Sequence, residues 1–175
     1  MIFTGLKRKT LQSFLEKKRR ENKGRHLGEA NKKIKTVGLL LTDNIEGASV
    51  LKDLTKRFGF HKNQVTLLVY KPTLDVKKEA NKEAMFGNAD FGWYGAIKSP
   101  LVQQFIQTDF DLLINYSPSA NLYIDTLVLL SKASFKVSHA GINDDFYDLV
   151  VATGLKDVAT LNQEAKKYLQ ILNKL

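Results

Sequence analysis

Cysteine is absent from this chain of 175 residues, which excludes disulfide bonds, thiolate metal sites and cysteine nucleophiles. Long apolar runs are absent too. The richest segment, NLYIDTLVLLSKA, contains Asp125 and is shorter than the roughly 20 apolar residues of a membrane-spanning helix. The beginning of the chain has no apolar segment typical of a secretory signal. We therefore expect no transmembrane segment, and we predict that the protein is cytoplasmic.

The sequence also lacks the short motifs that accompany common catalytic or cofactor chemistry. A GxxxxGK[ST] phosphate loop, a GxSxG nucleophile turn and a Ser-His-Asp order are all missing. The turn LTDNIEGAS has Gly47 alone where a dinucleotide fingerprint needs several glycines. We therefore expect no catalytic residues, no cofactor and no metal site, and we favour a binding or interaction role over an enzymatic one.

Charge is distributed very unevenly along the chain. Residues 1–36 hold 12 Lys or Arg and 3 Glu, whereas residues 37–175 hold 15 basic and 15 acidic residues. The whole net charge of +9 therefore lies in the first fifth of the chain. Such an asymmetry is typical of proteins that bind nucleic acid or an anionic membrane.

The basic segment has the pattern of a helix. Leu6, Leu11, Phe14 and Leu15 lie near one side of a helix, and the stretch EKKRRENKGRH follows at residues 16–26. We predict a basic helical arm over residues 1–33. The candidate phosphate-binding residues are Lys17, Lys18, Arg19, Arg20, Lys23 and Arg25.

The partner of this arm has three interpretations. RNA or a ribonucleoprotein is the favoured partner, and base stacking by the arm itself is not expected because it has few aromatic residues. A peripheral membrane is the second interpretation, with Leu11, Phe14 and Leu15 inserted. In the third, the apolar face packs on the protein itself or on another subunit, and the charges are simply solvated.

Residues 34–175 are predicted to form one α/β domain, because short apolar runs alternate with segments of helical spacing. Strands are predicted at 36–42, 64–70, 110–116, 134–139 and 146–153, with residues 90–95 as an edge element. Helices are predicted at 47–60, 99–108, 119–133 and 158–175, and residues 73–89 are expected to be mainly a loop. This alternation indicates a three-layer, doubly wound, mainly parallel sheet of about five strands, flavodoxin-like or Rossmann-like.

Two loops at the carboxyl ends of predicted strands are candidate ligand sites, since doubly wound sheets bind ligands there. Small polar residues in these loops can hydrogen-bond a phosphate or a sugar, or they can simply form turns and helix caps. The candidates are Asp43, Asn44 and Gly47 in the first loop and Ser117, Ser119 and Asn121 in the second. They support an alternative function, a small-ligand or nucleotide-binding α/β protein.

Two further clusters have both a functional and a structural interpretation. His139 precedes Asp144, Asp145 and Asp148, a grouping that can supply a base or a metal ligand but also reads as an ordinary turn. The stretch FGWYG, residues 91–95, holds three aromatic residues between glycines. They can stack on a base or pack at the end of the core, and core packing is the expectation.

The order of these signals resembles an uncharacterised bacterial family of small α/β proteins with a basic N-terminal helix. The stretches that carry the resemblance are KSPLVQQFI, FDLLINYS, NLYIDTLVLLSKASFKV, YDLVV and YLQILNKL. The resemblance is strongest from Phe91 to Val137. It implies the fold, and it implies no activity, cofactor or catalytic residue.

Overall fold

Six parallel strands form the central sheet of the protein, in a computed structural model that describes residues 2–22, 32–74, 84–154 and 157–175. The strands are Val37–Thr42 (β1), Val65–Tyr70 (β2), Met85–Phe86 (β3), Leu112–Asn115 (β4), Lys136–His139 (β5) and Leu149–Val151 (β6). The helices are Ile2–Asn22 (α1), Gly47–Phe58 (α2), Pro100–Gln107 (α3), Leu122–Leu130 (α4) and Val158–Ile171 (α5). None of these helices is long and apolar enough to cross a bilayer.

The strand order is β3-β2-β1-β4-β5-β6. This is the order of the Rossmann arrangement, and it differs from the flavodoxin order. The prediction of a doubly wound α/β sheet is therefore confirmed. Between β1 and β4 the order reverses direction, so the crevice beyond the carboxyl ends of these two strands is the topological switch point.

The strands are apolar on both faces because helices cover both sides of the sheet. Leu40 of β1 faces one helical layer, while Leu39 and Leu41 face the other. Helices α1, α3 and α4 form the first layer, and helices α2 and α5 form the second. The continuous run GLLL at 38–41 follows from this double coverage.

Helix α1 belongs to the first layer. Leu11 and Leu15 are buried in the same core cluster as the apolar residues of α4, and Phe14 packs against that cluster. This packing corresponds to the third interpretation of the basic segment, in which its apolar face lies against the protein itself. The division into an arm of residues 1–33 and a separately folding domain stays a prediction.

Three details differ from the sequence-based expectation. The sixth strand is β3, which lies within residues 73–89, where a loop was expected. Residues 90–95 form 3-10 turns and a single antiparallel bridge from Phe91 to Ile97, and they add no strand to the sheet. Each remaining strand is shorter than expected. Strands β1, β2 and β5 begin later and end at the predicted residue, whereas β4 and β6 are shorter at both ends.

Candidate functional site

The carboxyl edge of β1 and β4 brings the two predicted ligand loops together. Asp43 and Asn44 follow β1, and Ser117, Ser119 and Asn121 follow β4. The two strands are adjacent, with Leu40 opposite Asn115 in the register. The sequence therefore placed these residues at the correct edge of the sheet, although each side chain has its own surroundings.

Ser117 makes its hydrogen bonds within the protein. The Asn115 Oδ1 atom accepts hydrogen bonds from the Ser117 N–H (2.9 Å) and the Ser117 hydroxyl (2.7 Å). Asn115 Nδ2 donates to the Tyr147 hydroxyl oxygen at 2.7 Å. Ser117 and Asn115 are both buried. The geometry makes Ser117 part of a polar network that shapes the loop after β4.

Asn121 caps helix α4, in agreement with the interpretation of this loop as a helix cap. Its Oδ1 atom accepts from the N–H groups of Tyr123 (3.0 Å) and Ile124 (3.2 Å) at the start of α4. Ser119 is exposed on the same loop. These contacts satisfy helix-terminal N–H groups that otherwise have no partner.

The loop after β1 faces a second helix start. A cavity of about 380 Å³ lies between the beginnings of α2 and α5, and Asn44, Glu46 and Asp157 are among its lining residues. Asp43 is exposed, and Gly47 is buried as the first residue of α2. Glu46 places negative charge at the start of α2, and Asp157 does so at the start of α5, where it also accepts the Thr160 N–H. These charges disfavour phosphate at both helix starts.

His139 lies beneath α5, apart from the acidic turn that follows it in sequence. Its Nδ1 atom is 2.8 Å from Thr153 Oγ1, and its Nε2 atom is buried without a partner among the described residues. Burial lowers the pKa of His139, and the charge of Asp157 opposes this shift. Asp144 and Asp145 bond to other groups, Gly141 N–H and Arg19. Among the described residues, no three His, Asp or Glu side chains are grouped to hold a metal ion.

A cavity of about 280 Å³ lies between α1 and the carboxyl edge of the sheet, on the side that α4 covers. Asp125 lines it and is only 3% exposed. The Asp125 Oδ2 atom accepts a hydrogen bond of 2.8 Å from Asn143 Nδ2. Burial raises the pKa of Asp125 to about 7, although the bonds from Asn143 and from the Asn121 backbone act in the opposite direction. Arg8 and Arg19 of α1 also line this cavity.

Sequence reasoning missed Asp125 as a candidate. Asp125 was noted only as an interruption of an apolar run. A carboxylate in the middle of such a run is itself a signal, because a buried acid needs hydrogen-bond partners. Its partner Asn143 lies in the turn after β5, and no local pattern joins the two residues.

The outer side of α1 carries cations that the fold leaves exposed. Lys9, Lys17 and Arg20 are exposed, and we call these three residues the basic face. Lys17 lies 4.0 Å from Glu21 with most of its side chain in solvent. Lys9 and Arg20 have no ion pair in the part of the chain that the structure describes. These side chains are available to an anionic partner.

The other candidate cations of α1 differ in availability. Arg19 is paired with Asp145 at 2.6 Å and lies over the Phe146 ring. Lys18 is paired with Glu21 at 2.7 Å. Lys23 and Arg25 lie outside the described residues. Of the phosphate-binding set predicted from sequence, only Lys17 and Arg20 therefore belong to the basic face.

A turn with exposed aromatic residues lies beside α1. Trp93 is 41% exposed and Tyr94 is 72% exposed, whereas Phe91 is fully buried. The expectation of core packing was therefore wrong for Trp93 and Tyr94, and holds for Phe91. We call residues Trp93–Gly95 the aromatic turn.

These features define an α/β protein with the Rossmann strand order, a basic first helix and a carboxyl edge without a phosphate loop. The chain belongs to the Family of unknown function (DUF6913), whose match covers residues 7–172. The match includes residues 7–22 of α1, so most of this helix is part of the family's domain. No curated protein and no solved structure matches the chain. The bacterial origin that the resemblance implies stays a prediction.

Proposed function

We propose that this protein is a cytoplasmic, non-enzymatic binding module that binds RNA through the basic face of α1. The observation that carries the proposal is the way α1 is attached. Leu11 and Leu15 are buried in the core, so the helix is fixed and its cations point outward from a rigid support. Ordered cations neutralise phosphates and release the counterions that surround nucleic acid.

The same packing argues for RNA over a membrane. Insertion into a bilayer needs the apolar face of an amphipathic helix. In α1 most of that face is already buried against the rest of the protein, with Leu11 1% and Leu15 9% exposed, while Leu6 near the start of the helix is 51% exposed. Membrane insertion would require α1 to leave the core, whereas phosphate contacts use side chains that are exposed in the folded state.

Binding to a fluorescently labelled 12-base oligouridylate, followed by anisotropy at low salt, tests the proposal. The variant Lys9→Gln, Lys17→Gln, Arg20→Gln removes the basic face. A matched control, Lys52→Gln, Lys56→Gln, Lys62→Gln, removes the same charge from exposed positions outside the α1 layer. We expect the first variant to lose at least tenfold in affinity and the control to bind nearly as the wild type does.

Equal binding by the two variants would contradict the proposal. So would absence of wild-type binding to the oligouridylate at low salt. Vesicles containing anionic lipid, tested with the same three proteins, separate the membrane interpretation from the RNA interpretation. We expect no binding to vesicles that depends on the basic face and survives physiological salt.

A second candidate function is binding of a small polar ligand in the cavity beside Asp125. The observation that favours it is a buried carboxylate facing a cavity of about 280 Å³ at the edge where doubly wound sheets bind ligands. Arg8 at this cavity suits an anionic group such as a nucleotide phosphate, whereas Arg19 is paired with Asp145 and Glu16 adds a second carboxylate to the lining. Thermal-shift measurements with nucleotides, flavins and divalent metals test it.

A rise in melting temperature of several degrees, lost in Arg8→Gln or Asp125→Asn, would support this second function. Variants Asp43→Ala and Ser117→Ala test the loops predicted from sequence in the same screen. Since Ser117 already bonds to Asn115, we expect its substitution to lower stability without abolishing any ligand-induced shift. Absence of a shift with every ligand would remove support for the second function.

A further inference from the structure

The aromatic turn places two large rings in solvent beside a basic helix. Trp93 is 41% exposed and Tyr94 is 72% exposed, although large aromatic side chains are usually substantially buried. Elsewhere in the same stretch Phe91 is buried against Phe86 and Tyr123. Exposure of Trp93 and Tyr94 is therefore a local property of the turn.

Helix α1 holds the aromatic turn in place. The Tyr94 N–H points to Thr10 Oγ1 at 3.4 Å. Phe14 lies directly on Gly95, where a Cβ atom would be 2.4 Å from the Phe14 ring. Gly95 has a φ of +81°, a conformation that favours glycine. The contact between α1 and the turn is close enough to fix the backbone that carries the two rings.

Tyr94 itself has an unusual backbone conformation. Its φ is 54° and its ψ is 32°, in the left-handed region that bulky residues seldom occupy. Such a conformation costs free energy and persists where the surrounding structure imposes it, often at binding sites. In this conformation the Tyr94 ring lies in solvent, and Gly95 lies directly against the Phe14 ring.

Cations lie near the turn in space and along α1. Lys98 is exposed, and the position that a Cβ of Gly92 would take is 3.5 Å from its side-chain Cε atom. On α1, Lys17 of the basic face follows Phe14 by three residues, or about 4.5 Å along the helix axis. Exposed rings between cations are the usual arrangement for binding unpaired nucleotides, because bases stack on the rings while the backbone phosphates contact the charges.

We infer that Trp93 and Tyr94 form a stacking platform for unpaired bases, so that the partner of the basic face is single-stranded RNA. This inference rests on the proposed function and specifies its partner. Base stacking on aromatic side chains is tolerant of sequence. The binding is therefore expected to discriminate single strands from duplexes while showing little preference among bases.

Trp93 provides a direct test, because it is the only tryptophan of the chain. Titration of the wild-type protein with a 12-base oligouridylate should quench Trp93 emission, and saturation should occur at the concentration range found by anisotropy. An RNA duplex with the same number of phosphates should bind more weakly and quench less. This measurement needs no variant, so a folding defect cannot obscure it.

Variants of the platform provide the second test. Trp93→Ala and Tyr94→Ala should each weaken oligouridylate binding roughly 5- to 150-fold, the range for loss of one stacked base. The salt dependence should stay as in the wild type, since no cation is removed. Tyr168→Ala is the matched control, because Tyr168 is 42% exposed on α5 in the opposite layer.

The outcomes separate this inference from the proposed function. If Trp93 emission does not change at saturation and both platform variants bind as the wild type does, the stacking platform is wrong while binding by the basic face stands. If the duplex binds as tightly as the single strand, the preference for unpaired RNA is wrong. If removal of the basic face leaves binding unchanged, the proposed function fails together with the inference.

Discussion

At the scale of single residues, Gly95 and Phe14 form a close contact between α1 and the rest of the protein. A Cβ at Gly95 would meet the Phe14 ring at 2.4 Å, and the φ of +81° disfavours any side chain. We predict that Gly95→Ala lowers the free energy of unfolding by more than about 1 kcal/mol. Urea unfolding followed by circular dichroism measures the change.

Gly5→Ala is the matched control for that prediction. Gly5 lies within α1, and no atom lies within 4 Å of the position its Cβ would take. Alanine is favoured over glycine in a helix by roughly 0.5–1 kcal/mol, so this variant should be slightly more stable. Equal effects of the two substitutions would show that Phe14 does not rest on Gly95 in solution.

Asp125 gives a prediction about pH. Burial raises its pKa to about 7, compared with about 3.9 for an unperturbed carboxyl group. Between these values the folded state binds more protons than the unfolded state, so the contribution of Asp125 to stability falls as the pH rises from about 4 to about 7. The slope reaches at most about 1.4 kcal/mol per pH unit.

Asp125→Asn should therefore remove this loss of stability. In urea unfolding experiments, we expect the free energy of unfolding of the variant to rise relative to that of the wild type between pH 5 and pH 8. Asp109→Asn, at an exposed position, is the control and should show no such rise. A stability difference between Asp125→Asn and wild type that is the same at both pH values would contradict the prediction. The same variant also tests the cavity beside α1.

At the scale of secondary-structure elements, the sequence predicted those elements that have a strong local pattern of residues. The helix predicted at 99–108 is present as α3, where Ser99 accepts the Val102 N–H and Pro100 is the first helical residue, a pair of residues that favours a helix start. Strand β3 was missed because two residues, Met85 and Phe86, are too few to show a period. The stretch FGWYG was recognised, but core packing was wrongly favoured for Trp93 and Tyr94, because their position depends on the contact of Phe14 with Gly95, between distant parts of the chain.

Deletion of residues 1–33 tests whether the domain folds without α1. The backbone N–H of Ile34 bonds to Lys174 O at 2.9 Å, so the chain just after the deletion stays attached to the end of the protein. Loss of Leu11 and Leu15 removes roughly 1.5–3 kcal/mol for each buried side chain. We predict a cooperative thermal transition at a lower temperature than in the full chain.

Loss of the cooperative transition would contradict the division at residue 33 and show that α1 is indispensable to the core. The variant Leu11→Ala gives an independent measure in the full chain. Its expected cost is about 2–5 kcal/mol, the usual range for a buried leucine. A cost near zero would show that α1 is detached in solution.

At the scale of the whole molecule, the sequence predicted the fold class and the location of the charge better than the site. Alternating strands and helices and the charge of residues 1–36 are properties that a linear sequence displays directly. The polar contacts at the carboxyl edge are not displayed by the sequence in this way. Asn115 bonds to Tyr147, and Asp125 bonds to Asn143, across separations of 32 and 18 residues.

The salt dependence of RNA binding tests the central claim most directly. If about four cations of α1 contact phosphates of a single strand, the slope of log K against log salt is near −2.8, at about 0.7 for each phosphate. Anisotropy with the oligouridylate across a salt series should give this slope for the wild type and for the Lys52, Lys56, Lys62 control. Removal of Lys9, Lys17 and Arg20 should make the slope shallower by about 2. An unchanged slope in that variant would contradict RNA binding by the basic face of α1.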